Sequence, residues 1–172
     1  MSILVIRPAT TKDADGIWAI FHQVVKTGDT YAFAPDTNRT DALAYWLSPQ
    51  VQTFVAVQND QVVGTYILRP NQTGLGGHVA NAAYMVHPAA RGQGIGRAMG
   101  EHSLEAARQA GFLAMQFNLV VSTNQAAVAL WQKLGFHIAG TLPRAFRHQQ
   151  LGYVDAYVMY QWLGAPPVAA AS

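Results

Sequence analysis

Residues 86 to 97 read VHPAARGQGIGR, with glycines at 92, 94 and 96 between a β-prone run and a helix-prone one. No other stretch limits the possible folds as sharply. A P-loop needs Gly, four residues and then Gly-Lys-Ser or Gly-Lys-Thr, which Arg97-Ala98 does not supply. A dinucleotide fingerprint, Gly-x-Gly-x-x-Gly, ends on Arg97 when counted from Gly92 and on Met99 when counted from Gly94. A turn that only joins strand to helix normally needs one glycine. The remaining reading is an anion cradle: bare backbone N–H groups approach a ligand with the positive end of a helix dipole behind them, and pyrophosphate is the natural guest. Arg91 and Arg97 bracket the turn and would add charge-assisted contacts, unless they are simply solvated.

The flanking periodicities place this corner in a mixed α/β pattern. Ile3 to Arg7 is β-prone, and Thr11 and Asp13 start a helix whose apolar positions run from Ile17 to Val25 and which ends near Gly28. The loop 28 to 40 is rich in turn formers yet carries Tyr31 and Phe33, which predicts either a pocket wall or a loop pinned to the core. A short helix over Asp41 to Leu47 follows. Phe54–Val57 and Val62–Leu68 around Asn59-Asp60 predict a hairpin. His78–Val86 is the next strand, and Gly94–Ala110 a helix capped by Gly111. A strand over Phe112–Val121 and a helix over Asn124–Leu134 come next, followed by strands at Phe136–Leu142 and Tyr153–Trp162. This order implies one mixed sheet with helices on both faces. A single domain is expected over residues 1 to 163, with a flexible tail over 164 to 172, GAPPVAAAS.

Composition narrows the chemistry. Only 12% of the 172 residues are charged and the net charge is +2 without a basic run, so nucleic acid is not the expected partner despite a pI near 9.0. The absence of cysteine removes disulfides, thiolate nucleophiles and Cys-ligated zinc, and fits a cytoplasmic setting. No His pair has metal-ligand spacing, so no metal is expected. No membrane association is expected either: the start MSILVIRPAT reads as a strand, and no apolar run reaches membrane-spanning length.

Arg91-Gly-Gln-Gly-Ile-Gly96 after Val86-His-Pro88 resembles motif A of the GCN5-related N-acetyltransferases (GNAT), Arg/Gln-x-x-Gly-x-Gly/Ala, which binds the pyrophosphate of acetyl-CoA. Asn118 to Phe136, NLVVSTNQAAVALWQKLGF, is similar to motif B. The resemblance implies the GNAT fold: a mixed, mostly antiparallel sheet of six to seven strands, with a bulged strand before motif A that splays from its neighbour. It implies acetyl-CoA as cosubstrate, held by Tyr84, Met85, Val86, Arg91, Gly92, Gln93, Gly94, Ile95, Gly96, Arg97, Asn124 and Trp131. A backbone N–H at Met85 or Val86 would polarise the thioester. Asn124 would contact the cofactor or cap its helix.

One position departs from the pattern. Many members carry, seven residues after the motif B asparagine, a tyrosine that protonates the departing thiolate; Trp131 stands there, and an indole cannot deliver a proton. Motif B, together with KTGDTY at 26 to 31 and HVANAAYMV, is similar to the fungal N-acetyltransferases of L-azetidine-2-carboxylate, a subgroup that shares this tryptophan. That likeness implies a small amino-acid or proline-analogue acceptor and makes Asn81 and Asn118 the catalytic and substrate-site amides, with Tyr31 as a further substrate contact. His78, His87 and Asp155 are weak candidates for accepting the amine proton. Direct attack in a ternary complex is expected, because no nucleophile for an acyl-enzyme is present. Phosphinothricin-like compounds and protein N-termini are alternative acceptors. A non-catalytic acetyl-CoA sensor is the rival from another class, and a homodimer is a further expectation.

Overall fold

The computed structural model describes residues 2 to 164; the expected tail beyond Gly164 lies outside the described residues. Seven strands form one sheet in the order β1-β2-β3-β4-β5-β7-β6. They are β1 (Val5–Pro8), β2 (Gln52–Gln58), β3 (Gln61–Pro70), β4 (Val79–Val86), β5 (Ala114–Val121), β6 (His137–His148) and β7 (Gly152–Trp162). All neighbours are antiparallel except β4 and β5. The helices are α1 (Ala14–Val25), α2 (Arg39–Trp46), α3 (Ile95–Gln109) and α4 (Gln125–Lys133). No described helix is long and apolar enough to cross a membrane.

The alternation of β4 divides the core. Ala80, Ala82 and Tyr84 join Met99, Leu104, Trp131 and Phe136 beneath α3 and α4, while Ala83 and Met85 join Ile17, Phe21 and Trp46 beneath α1 and α2. Both faces of the sheet are therefore covered, which is what a strand such as β4, apolar on both sides, requires. At the start of α1, the Asp13 carboxylate accepts two hydrogen bonds from Arg7 (2.8 Å each) and one from the Thr10 N–H (2.7 Å), tying β1 to the first helix.

The last hairpin departs from expectation. The sixth strand does not stop at Leu142 but runs to His148, with extra residues between Leu142 and Phe146 relative to β7. Pro143 directly follows the expected end; on an edge strand it is accommodated in a bulge. Arg144 takes φ +54° there, and its N–H donates to the Asp155 carboxylate at 2.9 Å.

Candidate active site

Strands β4 and β5 pair only at Val79 with Ala114 and Ala80 with Met115, and then diverge. The side chain of Asn81 sits at the fork, buried, and its Nδ2 donates to the Gln116 carbonyl at 3.0 Å, continuing with a side chain what the backbone ladder stops doing. On the α3 and α4 side the widening gap is filled by aromatic rings: Trp131 lies 4.7 Å from the Tyr84 ring and 4.8 Å from Phe117. Gly100 lets this wedge close on α3, since a Cβ there would sit 2.5 Å from Leu134 Cδ1 and 3.1 Å from Trp131 Cζ3.

The expected bulge in β4 is absent; its register with β3 runs unbroken from Pro70–Ala80 to Gly64–Val86. The divergence comes instead from the β5 side, where the register against β7 shifts between Phe117 and Val120. Unbroken register fixes which backbone groups face the gap. His87 N–H donates to Val63 O and Asn71 N–H to Val79 O, both at 2.8 Å. Antiparallel ladders alternate, so the N–H groups of Asn81, Ala83 and Met85 belong to β3. Those of Ala82, Tyr84 and Val86 point toward β5, where no strand pairs with them. Met85 is thereby removed from the expected donors and Val86 stays.

At the end of β4 the turn rises into α3. Gly92 and Gly94 have φ of +76° and +79°, and Gly94 is the N-cap of α3 without a side-chain cap. The first N–H groups of the helix, Ile95, Gly96 and Arg97, therefore have no intrahelical acceptor. A Cβ built at position 92 or 94 meets nothing within 4 Å, whereas at 96 it makes ordinary contacts with Leu130 (3.6 Å) and Val86 (3.9 Å). The backbone thus demands glycine at 92 and 94 but not at 96, matching a pattern that admits alanine there. Open space above uncapped donors at a helix N-terminus fits a pyrophosphate. Gln93 and Arg91 are exposed on the same turn, while Arg97 is engaged by Glu101 at 2.9 Å along the helix.

The other expected residues resolve as follows. Asn124 accepts the Ala127 N–H at 3.3 Å and so caps α4. Asn118 is exposed; its Nδ2 donates to Asn71 Oδ1 (2.7 Å) and its Oδ1 accepts from Gln116 Nε2 (3.0 Å), so an amide chain links β5 to the exit of β3 beside the start of β4 through two residues, Asn71 and Gln116, that sequence reasoning missed. Their only signal was amides in or beside strands, where amides are disfavoured. Tyr31 and Phe33 wall a cavity of about 490 Å³ whose opposite side is Phe146, His148 and Gln149 of the last hairpin. The loop is pinned as well: Phe33 meets Phe21 and Tyr45 edge-on, and Gly28 O accepts from Gln149 N at 3.0 Å. Both readings of this loop hold together. Tyr84 N–H lies against the Tyr31 hydroxyl. Burial pushes that phenol above its usual range, against smaller opposing effects of this N–H and of Arg91.

The proton-acceptor candidates are engaged elsewhere, and none of them lines the cavity. His87 Nδ1 accepts the Ala89 N–H and its Nε2 meets Gln23, His78 packs against Trp162, and Asp155 holds the β6 bulge. His148 was not anticipated. Its Nδ1 accepts from the N–H groups of Gln150 (3.1 Å) and Leu151 (3.2 Å), so the ring carries its proton on Nε2. No metal-binding cluster occurs among the described residues.

Comparisons with known proteins agree with this geometry. A family model described as the acetyltransferase (GNAT) family matches residues 18 to 136. The chain is 36% identical over 118 residues to N-acetyltransferase aca1 of Schizosaccharomyces pombe, covering 67% of this chain; it spans 55% of that relative's length. A GCN5-related N-acetyltransferase from Kribbella flavida superimposes with a TM-score of 0.88 at 44% identity over 92% of this chain and 97% of that one. The yncA protein of Salmonella typhimurium, solved with its cofactor acetyl-CoA, shares the fold with a TM-score of 0.83 at 24% identity over 98% of this chain and 99% of that one. The forked β4–β5 pair, the uncapped glycine turn and these matches together establish that the chain belongs to the acetyltransferase (GNAT) family.

Proposed function

We propose that the protein is an acetyl-CoA-dependent N-acetyltransferase acting on a small amine that carries a carboxylate. One observation carries this reading. Beyond Ala80 no strand pairs with the N–H groups of β4 that face β5; they lead toward the uncapped N-terminus of α3, suited to a pyrophosphate, and one of them, at Tyr84, meets Tyr31 of the cavity wall. Acetyl-CoA supplies an acetyl thioester. The N–H groups of Ile95, Gly96 and Arg97 would hold its pyrophosphate, and that of Val86 would face the thioester carbonyl. Asn81 holds the fork at its closed end, and its Oδ1 is left to orient the amine. Cosubstrate contacts at Asn124 and Trp131 are secondary in this reading, since both side chains already have structural work, a helix cap and the aromatic wedge.

The carboxylate preference rests on Arg69. It is the register partner of Asn81 and so shares its face of the sheet; its guanidinium stacks on the Tyr45 ring at 5.2 Å and has no ion pair among the described residues. A small amino acid or proline analogue such as azetidine-2-carboxylate fits these groups, with the amides of Asn81 and Asn118 as further partners; phosphinothricin-like acids fit the same charge. Trp131 favours one other reading, a non-catalytic acetyl-CoA sensor. Thiol release from acetyl-CoA against a panel of amines with and without carboxylates separates them. Release with acidic amines is expected. Cofactor binding without release for any amine would instead support the sensor.

A further inference from the structure

The usual tyrosine acid is replaced by Trp131, yet another phenol stands at the fork. Tyr31 belongs to the loop between α1 and α2, its ring lines the acceptor cavity, and its oxygen lies against the N–H of Tyr84, one of the β4 groups directed into the gap. The loop is held in place by the Gly28–Gln149 hydrogen bond and by the Phe33 ring between Phe21 and Tyr45. The hydroxyl is therefore held beside a backbone donor that points into the gap.

We propose that the Tyr31 hydroxyl is a catalytic hydrogen-bond donor to the thioester carbonyl oxygen, completing with the β4 backbone an oxyanion site that spans the fork. The proposal rests on the acetyltransferase reading. During transfer the amine nitrogen bonds to the acetyl carbon, charge gathers on the carbonyl oxygen, the carbon–sulfur bond breaks, and the amine proton and the thiolate exchange with water. Tyr31 keeps its proton throughout. A phenol raised by burial is a poor acid toward a thiolate whose thiol has a pKa of about 8.5, so Tyr31 does not stand in for the lost acid. As a neutral donor it is well suited, and the N–H that its oxygen faces polarises its O–H.

Tyr31→Phe removes the donor and keeps the ring. The carbonyl stretch of acetyl-CoA labelled at the acetyl carbon and bound to the protein reads the hydrogen bond directly, without an acceptor amine. The expected result is a move to higher wavenumber in Tyr31→Phe, with affinity for acetyl-CoA within about threefold, and a fall in turnover of about 10²-fold or more. An unchanged stretch in Tyr31→Phe overturns the proposal even if turnover falls. Failure of the wild-type protein to bind acetyl-CoA at all would overturn the acetyltransferase reading and this proposal with it.

Discussion

A single charge placed at the glycine turn tests the pyrophosphate assignment. Gly94→Asp and Gly94→Asn introduce side chains of nearly equal shape at a position with φ +79°, where a Cβ meets nothing within 4 Å. Asn and Asp are the non-glycine residues best tolerated in this conformation. Both variants should therefore pay the same strain, about 1 kcal/mol, and lose about 2–4 °C in Tm. They differ only in the carboxylate. At about 6 Å from a pyrophosphate, with an effective dielectric of about 60 for so exposed a turn, each charge pair costs about 0.9 kcal/mol. Two phosphate charges bring the total to about 2 kcal/mol, or about a twentyfold weaker Kd for Asp than for Asn. Titration calorimetry with acetyl-CoA at about 0.1 M salt measures the gap. Raising salt to about 1 M, where the Debye length is about 3 Å, should nearly close it. Equal affinities for the two variants at low salt would refute the cradle, whatever each loses relative to wild type.

Two further outcomes follow from packing and charge. Trp131→Tyr shrinks the aromatic wedge between Tyr84 and Phe117 and buries a hydroxyl there, so a loss of about 1–3 kcal/mol in chemical unfolding is expected, with no gain in thiol release; a tenfold rise in turnover would show that the missing acid limits the enzyme. Asp13, 6% exposed, has its pKa lowered to about 2, chiefly by its hydrogen bonds from Arg7. A depressed carboxylate stabilises above its unfolded value near 3.8, and that contribution is lost as pH falls through about 2. Discounted because the Arg7 side chain is 41% exposed, it is worth about 1–2 kcal/mol. Asp13→Asn should therefore cost that much at pH 7 and almost nothing near pH 2 in urea unfolding, whereas a cost independent of pH would exclude the ion pair as its source.

The parts of this molecule that could be read from residues are those set by local rules. Positive φ at Gly92 and Gly94, the capping role of Asn124 and the order of strands and helices each depend on a few neighbouring residues. What could not be read depends on pairing between distant segments. Nothing near Met85 says whether its N–H faces β3 or the gap; that parity is set by the β3 register and by the absence of a bulge. The long sixth strand was hidden because Pro143 signals an end locally, while Asp155, eleven residues beyond Arg144, supplies the acceptor that lets the chain continue through a bulge.

The same distinction bears on how acceptor choice is encoded. The cofactor side of the fork is one continuous stretch, β4 through the start of α3, so a short pattern specifies it. In the proposed function the acceptor side would draw on Tyr31 and Phe33 from one loop and His148 from the last hairpin, which line the cavity, and on Arg69 and Asn71 from β3 and its exit and Asn118 from β5. No short motif can cover four separated segments, and each can vary without disturbing the cradle. His148 illustrates the consequence: with Nδ1 occupied by two turn N–H groups, it can offer the cavity a donor but cannot accept the amine proton without breaking that turn. Histidine spacing alone carries no such information, because the direction of the ring is decided by the backbone of Gln150 and Leu151. Among the residues lining the cavity, Tyr31, Arg147 and His148 carry donors and none carries a carboxylate, so under the proposed function this cavity would favour an anionic partner and leave the amine proton to water.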